Sequence, residues 1–246
     1  MQPPAATVPA EMDQEEVGRI IARYNLVSVA VVGPHNVLLG QITFDDVIDV
    51  LEAEQTEDIL KLGGVVSEEE VRGGWRDAVR SRLPWLCLNL LTATVGASIV
   101  YFFQHTIERV LILAAIMPVI AGMGGNAGTQ ALAVTVRRLA LTEESTARRW
   151  GVAAKELFVG LVNGAALGAL VGGISYLWLG EPLLGLVVLL AMWGNLIVAS
   201  IAGAIVPILL ERVGADPAVA SSIFVTAFTD LGGFFLLLGL ATALLL

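Results

Sequence analysis

Sulfur and imidazole are almost missing from this sequence: Cys87 is the only cysteine, and His35 and His105 are the only histidines. A single cysteine excludes an intrachain disulfide and a thiolate metal cluster, and Cys87 reads as a core residue of a membrane helix. His35 falls in a turn and His105 in a short external loop, on opposite sides of the expected membrane, so one chain cannot assemble a histidine zinc site. Charge is also scarce. Only 15% of residues are charged against 56% hydrophobic, with a mean hydropathy of +0.79, which a soluble globular protein rarely shows. Basic residues are the rarer sign, leaving a net charge of −9 and excluding the phosphate neutralisation on which nucleic-acid binding depends. No GxSxG, HExxH, GxGxxG or P-loop pattern occurs, so no enzyme is expected. The opening MQPPAATVPAEMDQEE lacks a basic start followed by an apolar run, so a cleaved signal peptide is not expected.

What is present divides into an acidic polar segment and an apolar body. Residues 1–83 carry 15 acids and 7 bases, whereas 84–246 carry 8 and 7. Beyond Leu83, residues 83–104, 110–136, 157–180 and 182–210 contain no Asp, Glu, Lys or Arg, and 217–246 contain only Asp230. A helix crosses the hydrocarbon core in about 20 residues, so five transmembrane helices are expected. Arg72, Arg76, Arg80 and Arg82 precede the first span, Arg137, Arg138, Arg148, Arg149 and Lys155 separate the second from the third, and Arg212 follows the fourth. The positive-inside rule then places the N-terminus in the cytoplasm and the C-terminus outside.

Ahead of the membrane, Pro3, Pro4 and Pro9 mark residues 1–17 as a disordered lead-in. LVSVAVV (26–32) and VLLGQIT (37–43) read as strands joined by a turn at Gly33–Asn36. A helix follows over 44–62, with Thr43 as N-cap and Asp45 and Asp46 in the first turn, ended by Gly63–Gly64. Ser67 to Glu70 looks like a further helix start, with Gly73–Gly74 a weak point.

Three constellations can carry chemistry. Asp230 lies mid-span in VTAFTDLGGFFLLLGL, beside Thr226, Thr229, Gly232 and Gly233. A lone carboxylate there costs a few kcal/mol and faces a cavity or a partner. Its readings are an oxygen-only cation site, a structural carboxylate bonded across helices, or a proton carrier. PVIAGMGGNAGTQ (118–130) brings four glycines, a proline and the pair Asn126 and Gln130 into the second span. Either a broken backbone there lines an ion path, or tight packing uses Asn126 and Gln130 as interhelical glue. Residues 45–60 hold seven acids and no base, a helix face whose repulsion cations would relieve or that simply stands in solvent.

Taken in order, these segments resemble the MgtE family of Mg²⁺ channels. PVIAGMGGNAGTQ is similar to that family's second span, GADPAVASSIFVTAFTDLGGFF to its fifth span with the pore aspartate, and FDDVIDVLEAEQTEDILKLGGV to the end of its second CBS domain and the start of its plug helix. The likeness covers about residues 18–246. It implies an all-α membrane protein of five transmembrane helices (83–246), preceded by a small partial α/β CBS segment (18–62) and a connecting plug helix (63–82). It also implies a homodimer among membrane lipid, with Mg²⁺ near Asp230 of both subunits. The Ala215 carbonyl, Ser222, Thr226 and Asn126 would line the path, and Asp46, Asp49, Glu54, Glu57 and Asp58 would form a cytosolic Mg²⁺ sensor. The family's N-terminal helical domain and the first strand and helix of the CBS fold are expected to be absent. Ser222–Ile223 stands where an Asn–Pro pair is expected.

The resulting expectation is a multi-pass Mg²⁺-selective channel of the plasma (inner) membrane, passing divalent cations, binding no nucleic acid and gated by cytosolic Mg²⁺. An ion-coupled divalent-cation carrier and a non-conducting, membrane-anchored Mg²⁺ sensor are the competing readings.

Overall fold

A computed structural model describes residues 6–65, 74–141, 146–214, 216 and 221–246. The chain forms two compact units, Met1–Leu60 and Lys61–Leu246.

The first unit runs β1 (Thr7–Pro9), α1 (Gln14–Tyr24), β2 (Ser28–Val32), β3 (Leu38–Thr43) and α2 (Phe44–Leu62), whose last turn enters the second unit. Its three-stranded sheet has the order β1-β2-β3, with β1 parallel and β3 antiparallel to β2. The β2–β3 turn is the expected one, closed by the Gly33 N–H donating to the Val37 carbonyl at 2.8 Å, with His35 and Asn36 both left-handed. The expected lead-in over 1–17 is different. It contains β1 and the start of α1, so a strand and a helix do precede β2. The physical reason is hydrophobic: Val8, Val17 and Ile21 are buried against Val29 and Val47 in one core, and the Asp13 carboxylate caps α1 by accepting from the Glu15 N–H. The prolines of the lead-in do not prevent this, because Pro9 ends β1 rather than interrupting it.

The second unit holds α3 (Trp75–Phe102), the short α4 (Gln104–Arg109), α5 (Ile112–Leu141), α6 (Thr146–Leu179), α7 (Pro182–Arg212) and α8 (Ser221–Leu245). Five of these are long and apolar enough to cross a membrane, over Trp75–Phe102, Ile112–Leu139, Trp150–Leu179, Pro182–Arg212 and Ser222–Leu245, so the chain is a multi-pass membrane protein. Ser67 to Glu70, the expected start of the connecting helix, lie outside the described residues. Helix α3 begins directly after Gly74, whose N–H is met by the Asp77 carboxylate at 3.3 Å, and continues through Arg76, Arg80 and Arg82 into the first span.

Helix α7 is the centre of the bundle. Val187, Val188, Ala191, Met192 and Leu196 are fully or almost fully buried and meet Leu113 and Ile120 of α5 and Leu237 and Leu238 of α8. Helix α6 lies along α7 on glycines spaced by four: a methyl at Gly168 would stand 2.7 Å from the Leu189 carbonyl oxygen, and one at Gly172 2.6 Å from that of Gly185. In lipid no hydrophobic effect draws helices together, and close backbone approach supplies the attraction instead. Helix α3 packs chiefly on α8, and Leu86, Leu90 and Leu91 are left open. Cys87, expected in a core, is on this open helix and is exposed, because α3 has few neighbours to bury it.

The glycine-rich second span does not have a broken backbone. Helix α5 is continuous from Ile112 to Leu141, and its glycines serve packing. A methyl at Gly128 would stand 2.6 Å from Val225, and one at Gly124 would run into the Asn195 amide. Asn126 and Gln130 are exposed and do not glue these helices. Asn195 of α7 does: it is fully buried and donates to the Ile120 carbonyl at 2.9 Å.

Candidate functional site

Ser222, Thr226 and Asp230 follow one another at four-residue spacing on α8, so they share one face over about 12 Å of rise. The helix forms because the intervening residues are apolar and pack inward: Ile223 and Val225 are buried, and Thr229 is buried while donating to the Thr226 carbonyl at 2.9 Å. Thr229 therefore belongs to the α5–α8 contact and not to the polar face. Gly128 beside Val225 and Thr229 brings α5 close enough to fix the rotation of α8.

Asp230 is half-buried and, among the described residues, has neither a hydrogen-bond nor an ion-pair partner. This disposes of the structural carboxylate bonded across helices within the described chain. The cation-site and proton-carrier readings remain, and a mid-span carboxylate with both oxygens open suits a cation retaining its waters.

One helical step toward the α7–α8 connection, Ser222 and Thr226 line a cavity of about 120 Å³ together with Asn89, Trp85 and Leu86 of α3 and Gly63–Gly64. Asn89 is a cavity-lining amide that a reading based on charge gaps passes over, because a neutral amide leaves the gap intact. Neither Asp230 nor Asn126 lines this cavity. Asn126 stands on the uncovered face of α5, and Ala215 lies outside the described residues. Between α7 and α8, Asp216 pairs with Lys61, in the last turn of α2, at 2.5 Å.

Among the described residues the expected sensor acids are not gathered into a metal-holding group. Asp46 caps α2: its carboxylate accepts the Thr43 hydroxyl at 2.7 Å and the Thr43 N–H at 2.9 Å. Those two bonds, the hydroxyl first, hold its pKa below the ordinary 3.8. Glu54 accepts from the Gln14 amide at 2.8 Å, Glu57 also has a partner, and Asp49 is exposed. The Asp58 side chain is outside the described residues. Among the described residues no group of three or more His, Cys, Asp or Glu comes together.

Residues 117–240 match the MgtE family model, described as a divalent cation transporter, and residues 1–53 match the CBS domain. The chain is 36% identical over 234 residues to a magnesium transporter MgtE of Bacillus subtilis, covering 95% of this chain and 52% of the relative. It is 40% identical over 248 residues to that of Thermus thermophilus, covering 100% and 55%. To that of Enterococcus faecalis it is 38% identical over 219 residues, covering 89% and 48%. The chain thus spans about half the length of the relatives it matches.

Proposed function

The chain belongs to the MgtE family of divalent cation transporters, a transporter family and not an enzyme family, and from that premise we propose that it is a Mg²⁺-selective channel of the plasma membrane. The observation that carries the proposal is Asp230, a mid-span carboxylate with no partner among the described residues. Mg²⁺ gives up its waters reluctantly, so the ion passes largely hydrated, its waters donating to the Asp230 oxygens. Ser222, Thr226 and Asn89 meet those waters at the cavity on the way in, with the Ala215 carbonyl and Asn126 completing the lining. Ser222, in place of an amide, offers one hydroxyl there.

Two copies of the chain enclose the path. Support comes from the face of α5 that carries Asn126 and Thr129, both exposed, because neutral polar groups are poorly matched to lipid and well matched to water or a second copy. The N-terminus faces the cytoplasm, a reading supported by the arginine distribution through the positive-inside rule. Cytosolic Mg²⁺ gates the channel by relieving repulsion among Asp46, Asp49, Glu54, Glu57 and Asp58 when it is abundant, which favours the closed state.

The test is Mg²⁺ uptake into liposomes holding the purified chain, driven by the Mg²⁺ gradient alone. Asp230→Asn inserts normally, since a buried amide costs less than a buried charge, and its uptake falls to that of empty liposomes. Unchanged uptake in Asp230→Asn removes this residue from the path. Wild-type uptake that appears only with a pH or Na⁺ gradient replaces the channel with a coupled carrier, and none under any gradient leaves a sensor.

A further inference from the structure

Glu156 is a buried carboxylate that the path through α8 does not use. It lies on α6, six residues or about 9 Å into the span that begins at Trp150, and is only 5% exposed. With Gln130 of α5, Asn163 of α6 and the buried Ser200 of α7 it lines a cavity of about 210 Å³ between the three helices. Gly160, one turn along α6, lets this corner form: a side chain there would collide with Ser200 and the Leu196 carbonyl. Among the described residues the cationic partner of Glu156 is Lys155, whose ammonium stands 3.4 Å from the Glu156 carboxylate while its own side chain is 59% exposed. The two neighbours in sequence thus part company, with the acid facing inward and the long basic chain reaching out toward water.

A buried carboxylate in a span needs a positive partner, and a mostly solvated ammonium at 3.4 Å is a weak one. Lys155 also lines the cavity; apart from its ammonium, the remaining polar groups, Gln130, Asn163 and Ser200, offer neutral oxygens without sulfur or imidazole, which is the chemistry of a hard cation. One carboxylate with neutral oxygens suits Mg²⁺, which uses one or two carboxylates and keeps its waters. We propose that this cavity is a second divalent-cation site, separate from Asp230, in which Glu156 holds a hydrated ion whose waters donate to Gln130, Asn163 and Ser200. Lys155 is the built-in competitor: it neutralises Glu156 when the ion is away and swings to solvent when the ion enters. Only the identity of the ion as Mg²⁺ rests on the function proposed above.

The experiment is a Mn²⁺ titration of the reconstituted full chain, followed by paramagnetic resonance, in an Asp230→Asn background that removes the path site. One class of bound Mn²⁺ is expected to weaken about 10- to 100-fold in Glu156→Gln and to be displaced by Mg²⁺. Lys155→Met is expected to tighten the same class, and Glu156→Gln on top of Lys155→Met to abolish that gain. A structural ion pair gives the opposite pattern, with both variants lowering the melting temperature and neither changing the isotherm. That pattern, or a Lys155→Met that weakens Mn²⁺, overturns the site. Failure of the uptake assay with this Mn²⁺ class intact sinks the channel and leaves the site standing.

Discussion

At the scale of single residues, the sharpest division is between acids that have work inside the fold and acids that do not. Asp46 and Asp49 belong to one acidic run, yet only Asp46 is bound, by both the hydroxyl and the N–H of Thr43. Its folded pKa is depressed, so the stabilisation it provides is present above the ordinary aspartate value of 3.8 and is lost as pH falls through the lower folded value. Carbon-detected resonance of the Asp46 carboxyl in the full chain is therefore expected to titrate below 3.8. Asp46→Asn is expected to lower the melting temperature of the first unit with or without Mg²⁺, whereas Asp49→Asn leaves the metal-free melting unchanged. Equal effects of the two variants would show that the cap contributes nothing. Thr43 as the start of α2 was legible because Thr followed by acids in the next turn is a local signal. That Asp46 is consumed by the cap was not, because composition does not distinguish a capping acid from a solvent-facing one.

At the scale of elements, five spans and their approximate limits follow from charge gaps alone, since hydrocarbon tolerates little else. The use of glycine was only half legible. The density of glycine in α5 is compatible with a broken backbone or with tight packing, and the continuous helix packed on α7 and α8 takes the second course, without Asn126 and Gln130 as the glue. The α6 ladder of Gly160, Gly164, Gly168 and Gly172 has the plainer four-residue spacing, but its glycines are spread thinly through a mostly apolar run. Close packing there makes a direct prediction. Gly172→Ala places a methyl 2.6 Å from the Gly185 carbonyl oxygen, while at the adjacent Gly173 nothing lies within 4 Å. Gly172→Ala is expected to cost about 1–3 kcal/mol, the usual penalty of overpacking. Gly173→Ala should be neutral or slightly favourable, as a helix prefers alanine. Reversible unfolding in detergent micelles measures both, and indistinguishable values would show that the α6–α7 seam adapts freely.

At the scale of the whole molecule, the proposed gating requires that an ion-dependent change at α2 reach the polar face of α8. Helix α2 is continuous from Phe44 to Leu62, and its last turn carries Lys61, which holds Asp216 in the segment that leads into Ser221 and α8. The pairing joins residues 155 positions apart and was invisible in the sequence, where Lys61 ends an acidic helix and Asp216 sits in a Gly–Pro-rich turn. A salt bridge with one side chain 17% and the other 36% exposed contributes little to stability, but it can transmit position, because the Asp216 backbone must follow the end of α2. Lys61→Ala and Asp216→Asn are both expected to leave maximal Mg²⁺ uptake intact and to shift the Mg²⁺ concentration that inhibits it, by the same factor and in the same direction. The double variant should shift it no further, as for two groups acting through one contact. Exchanging the charges, Lys61→Asp with Asp216→Lys, should recover part of the wild-type response. Additive shifts in the double variant would mean that the two residues act separately, and the link between α2 and α8 would then have to run through packing around Leu62 instead.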